Sequence, residues 1–81
     1  MTAFSAWLGT FVDEKDLDTE HLFEVEGPSG LNWIPLAAVI AAAEGASRED
    51  QETIKLTLAQ LDFNNRDPLH YFEHLAKGLA Q

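Results

Sequence analysis

The absence of cysteine from a chain of 81 residues is the tightest constraint on what it can fold into. Disulfides, thiolate zinc sites and a cysteine nucleophile are all excluded. Any fold must therefore be held by apolar packing. A chain of this length buries only about 60–65% of the surface its unfolded form exposes, so the stability gained is modest. With 46% of the residues hydrophobic, a core is still within reach despite a net charge of −9, and wholesale disorder is not expected. Small secreted domains usually lean on disulfides, so their absence points to a reducing compartment, here the cytoplasm.

The apolar spacing changes period along the chain, and the changes mark the elements. Phe4, Trp7, Leu8 and Phe11 fall at i, i+3, i+4 and i+7, one face of a helix over 3–12, with Thr2 as its N-cap. Residues 13–20 read as an acidic loop. Phe23 and Val25 then alternate with Glu24 and Glu26, a strand signal. Gly27-Pro28-Ser29-Gly30 is a strong turn, and Leu31 to Ile34 can return as the partner strand, with Leu31 and Trp33 on one face. A hairpin over 21–34 follows; the rival reading is a short helix from Thr19 to Glu26.

Three further helices are expected, over 35–44, 48–61 and 68–80. Pro35 suits a first helical position and Gly45 a C′ stop. Ser47 with Asp50 three residues on is a capping-box variant. Asn64-Asn65 breaks the third helix, and Asp67-Pro68 opens the last. The expected fold is a small, helix-rich α+β single domain of three to four helices with one two-stranded hairpin; the alternative is an all-α bundle. Its core is expected to comprise Phe4, Leu8, Phe23, Val25, Leu36, Val39, Ile40, Ile54, Leu58, Leu61, Leu69, Phe72, Leu75 and Leu79. An isolated ribbon is weak, so helices must cover the Phe23/Val25 face.

Charge restricts partners. Seven of the fourteen carboxylates lie between Asp13 and Glu26 against one Lys15. Such a chain repels nucleic acid and anionic lipid, so neither direct nucleic-acid binding nor membrane association is expected. No basic-then-apolar leader opens the sequence. The longest apolar run, Ile34 to Ala43, is about half a membrane span.

Motifs for chemistry are incomplete. His70 and His74 share a helix face, and Glu73 or His21 is the candidate third ligand, but a stable zinc site needs three or four placed donors. The bland reading is a solvated helix face, and no metal or cofactor is expected. Asp16-Leu17-Asp18-Thr19-Glu20 matches the first half of a calcium loop, then fails: His21 stands where Gly is needed and Gly27 where Glu is needed. Asp62 to Asp67 fails likewise at Arg66. Ser29 lacks the glycine spacing of a nucleophile elbow. No catalytic residues are assigned, and an enzyme is not expected.

Three functions are compatible with these residues. The favoured one is a protein-interaction module whose surface combines Trp7 and Phe11 with Asp13, Glu14, Asp16, Asp18 and Glu20. Apolar groups would supply affinity, and charge would select a basic partner. In so small a protein Trp7, Phe11 and Trp33 are expected in the core; the alternative is that the first helix cannot bury all four of its large apolar groups, leaving an exposed patch for a partner or a homodimer. The second is a nucleic-acid-mimicking inhibitor, as small phage or mobile-element proteins can be. The third is a metal-binding protein built on His70 and His74.

Overall fold

The computed structural model describes residues 2–63 and 67–80. In chain order they form α1 (Ala3–Glu14), β1 (Leu22–Gly27), β2 (Gly30–Pro35), α2 (Leu36–Glu44), α3 (Arg48–Phe63) and α4 (Pro68–Leu79). The strands make one two-stranded antiparallel sheet. This is the expected α+β arrangement, and residues 22–27 are a strand, not a helix. Asn64-Asn65, expected to break α3, lie outside the described residues, as does most of the Asp62–Asp67 motif.

Local chemistry places the helix starts. The Thr2 hydroxyl accepts from the Ser5 amide and opens α1. The Ser47 hydroxyl accepts from Asp50 N–H at 3.2 Å and opens α3. The Asp67 carboxylate accepts from Leu69 N–H at 3.0 Å, with Pro68 at the first position of α4. Each cap satisfies an amide that has no partner within the helix. Helix α2 is different. Pro35 is its N-cap, still paired in β2, and offers no side-chain acceptor. The first amides of α2 are taken instead by loop carbonyls: Leu36 N–H donates to His21 O at 2.8 Å and Ala37 N–H to Thr19 O at 2.9 Å. Gly45 ends α2 with φ −88°, a conformation open to any residue.

The hairpin register is Leu22↔Pro35, Phe23↔Ile34, Glu24↔Trp33, Val25↔Asn32, Glu26↔Leu31 and Gly27↔Gly30. Pro28 fixes a negative φ at the first corner, which excludes the primed turns, and Gly30 takes the positive φ, 116°, that the return requires. Gly27 is needed for space: a Cβ there would stand 2.6 Å from the carbonyl oxygen of Ala80 and 2.6 Å from Asn32 Nδ2. The end of α4 therefore lies hard against the turn.

Phe23 and Val25 are buried under the helices, with Ile34 packed beside them. They join Phe4, Leu8, Leu36, Val39, Ile54, Leu58 and Phe72 in one cluster. Four of the expected core residues, Ile40, Leu61, Leu69 and Leu75, lie partly buried at its margin. Leu79 is a correction: it sits in the last turn of α4 with its side chain exposed. Ala43 and Ala76 are buried on the inner stripes that the helical spacing of α2 and α4 marks, and Phe11 and Val12 are buried in addition.

The acidic loop also needs correcting, because Asp13 and Glu14 belong to α1. Burial of Phe11 and Val12 carries the helix two residues beyond the expected end. It closes on a Schellman motif: Asp16 N–H donates to Asp13 O and Leu17 N–H to Val12 O, both at 3.1 Å. Asp16 occupies the left-handed position with φ 52°, and Leu17 folds back onto the core. Glycine is the usual residue there, since a Cβ is strained, and a carboxylate opposes the helix dipole. Asp16→Gly is expected to stabilise the fold by about 1 kcal/mol. That is a rise of about 4–8 °C in the thermal midpoint for a domain of this size. A fall in midpoint would refute this account of the helix end.

Candidate functional site

The expected partner surface on α1 is largely closed. Phe11 is 7% exposed and belongs to the core, which removes it as a contact residue. Its ring stacks on Trp7 with centroids 5.4 Å apart and an interplanar angle of 28°. Phe4 also approaches Trp7, tilted, with centroids 6.1 Å apart. Trp7 is half-buried, and Lys55 Nζ of α3 lies 5.6 Å from the Trp7 ring centroid, a cation–π contact that covers part of what remains. The helix thus buries its four aromatic and aliphatic groups more fully than its size suggested.

Asp13, Glu14, Asp16, Asp18 and Glu20 are all exposed. Asp18 turns the chain: its carboxylate accepts from Glu20 N–H at 3.0 Å, and its carbonyl accepts from His21 N–H. The calcium-like spacing is therefore put to use as an Asx turn. Other carboxylates stand on β1, α2, α3 and α4, so the negative charge is spread over several elements.

His70 is 80% exposed and lies 3.9 Å from both the Asp67 and Glu73 carboxylates. Glu73 also pairs with Lys77 at 3.7 Å. His70 and His74 border an open groove with Thr57, Leu61, Asp67 and Tyr71. Among the described residues no three His, Asp or Glu side chains are grouped so as to hold a metal ion, and His21 is elsewhere, its ring edge-on to Phe23 at 4.8 Å. Nor is any polar or charged side chain buried among the described residues. Ser29 sits exposed at the hairpin turn.

The hairpin's second face is the surface that sequence reasoning missed. Phe23, Val25 and Ile34 point to the helices, so alternation sends Leu22, Glu24, Glu26, Leu31, Trp33 and Pro35 the other way. Most of this face is open: Leu22 is 51% exposed, Leu31 62% and Trp33 58%, Glu24 and Glu26 are exposed, and Pro35 is half-buried at its end. The register sets these residues in three rungs, Leu22 beside Pro35, Glu24 beside Trp33 and Glu26 beside Leu31. Facing side chains across such a pair lie about 5 Å apart. The result is an apolar face with two carboxylates set into it. The available signal was the shared face of Leu31 and Trp33; what the pattern lacked was which face the helices would take.

No helix among the described residues is long and apolar enough to cross a membrane. No protein-family model, curated protein or solved structure matches the chain.

The two aromatic sites should separate cleanly by stability. Phe11→Ala is expected to cost about 3–5 kcal/mol through the cavity it leaves. Trp33→Ala should cost under about 1 kcal/mol, the scale of a cross-strand contact. Urea unfolding of the two variants checks the order; a larger loss at Trp33 would contradict the assignment of inner and outer faces.

Proposed function

We propose that this chain is a non-catalytic protein-interaction module that docks a partner on the open face of its hairpin. One observation carries the reading: Leu22, Leu31 and Trp33 stand more than half exposed on one face of a two-stranded sheet whose other face packs Phe23, Val25 and Ile34 against the core. Large apolar groups gathered on a surface mark interaction sites, and tryptophan is prominent among the residues that anchor them. The sheet face is rigid because the helices hold it from behind, so a partner would meet a pre-formed surface with little ordering cost.

The partner is expected to be basic, because the exposed charge of this chain is overwhelmingly negative and opposite charge speeds encounter and selects partners. The apolar part of the face distinguishes this reading from simple mimicry of a polyanion, in which carboxylates alone would carry the contact. In this reading binding is the activity, in a cytoplasmic setting.

The test is parallel affinity capture from the source cell with the wild-type chain and a Leu31→Thr/Trp33→Thr variant. Threonine keeps strand propensity, and circular dichroism should show the two equally folded. At least one protein is expected to be retained by the wild type and lost by the variant. Identical captured sets would count against the hairpin face, and loss of capture with Trp7→Ala alone would return the site to α1.

A further inference from the structure

The rungs of the hairpin face specify what would lie on it. This step rests on the hairpin face being the docking surface and adds the chemistry of the occupant. Glu24 and Glu26 have no basic partner among the described residues, and residues 22–35 contain no Lys or Arg. Each carboxylate stands directly across from an exposed apolar side chain, Glu24 from Trp33 and Glu26 from Leu31. The third rung, Leu22 with Pro35, is apolar on both sides. Along a strand, alternate residues repeat at about 7 Å.

We propose that the occupant is an extended segment of another protein that presents one apolar and two basic side chains at alternate positions. The apolar side chain rests on Leu22 and Pro35. Each Lys or Arg lays its aliphatic stem over Trp33 or Leu31 and carries its charged head to Glu24 or Glu26. The spacing matches because an extended segment has the same two-residue repeat as the strand beneath it. At the middle rung the cation gains both a carboxylate and the tryptophan ring. The chain already makes one such contact internally, between Lys55 and Trp7 at 5.6 Å.

A second copy of this chain fits poorly on the same face. A two-fold contact sets the same patch against itself, bringing Glu24 and Glu26 of both copies together in chains that each carry −9. Nucleic acid and anionic membranes are repelled by the same charge.

The probe is a synthetic peptide with leucine, arginine and arginine at alternate positions and threonine between them, read by fluorescence anisotropy. Its isomer, with the two arginines adjacent, has the same charge and composition. The alternating peptide is expected to bind about ten-fold more tightly than the isomer, the margin of one well-placed charged contact. Glu24→Gln/Glu26→Gln should remove that margin. Glu49→Gln/Glu52→Gln, which takes the same charge from exposed positions on α3, should change the affinity by less than about two-fold, as expected for distant screened charges. A salt series on the wild type gives an independent readout, since the margin should shrink as salt rises.

Equal binding of the two peptides, no binding of either, or equal losses in the two double variants would overturn the proposal. A dimer in sedimentation that dissociates on Leu31→Thr/Trp33→Thr would overturn it in favour of self-association. The two readings fail separately. If a captured partner needs Leu31 and Trp33 but binds the Glu24→Gln/Glu26→Gln variant as well as wild type, the docking face stands and the basic segment does not.

Discussion

Burial of Phe23 and Val25 beneath the helices is the interaction on which the rest of the molecule depends. A two-stranded ribbon has too little contact of its own to persist in water, and this chain has no disulfide to hold one. The inner face of β1 therefore has to be part of the main core, and it is, in the same cluster as Phe72, Leu36 and Leu58. Three features follow. Strand β2 runs directly into α2 through Pro35, so fixing the sheet also fixes that helix. The loop carbonyls of Thr19 and His21 are brought to the bare start of α2, where they accept its first amides. The opposite face of the hairpin, with Trp33 and Leu31, is turned outward.

Polar chemistry is confined to the surface. Caps, turns, short-range ion pairs and threonine hydroxyls bonding to the preceding helical turn make up most of the side-chain bonds among the described residues, and Gln51 Nε2 donates to the Glu44 carbonyl at 2.9 Å, joining the end of α2 to α3. Such bonds between neighbouring helices fix their relative placement and leave the interior entirely apolar among the described residues. A core of that kind is tolerant of shape changes among similar apolar groups and intolerant of cavities.

Much of this fold was legible in the sequence because its punctuation is chemically explicit. Thr2, Ser47 and Asp67-Pro68 each have one good structural use, and the change from period 3.6 to period 2 between Phe11 and Val25 separates helix from strand. The end of α1 was not legible. Its last turn is acidic and looks like loop, and only the burial of Val12 and the turn at Asp16 extend it. Nor could spacing alone divide buried from exposed apolar groups. Periodicity tells which residues share a face, as it did for Leu31 and Trp33, but the covering of a face is decided by tertiary packing. For the same reason spacing left Phe11 open between core and partner surface; it is core, and the proposed binding face lies on the hairpin.

Among the described residues each strand pairs only with the other, which leaves both outer margins of the sheet without a neighbouring strand. Open margins of this kind, beside a β-prone and apolar stretch such as Leu22 to Val25, are where chains add to one another in cross-β growth. Glu24 and Glu26 interrupt that stretch with charge, the device by which natural sheets discourage stacking. The carboxylates to which the proposed docking assigns selectivity would thus also act as guards of colloidal stability. Without their charge, the apolar groups of the outer face would stand beside an open sheet margin with nothing to discourage stacking.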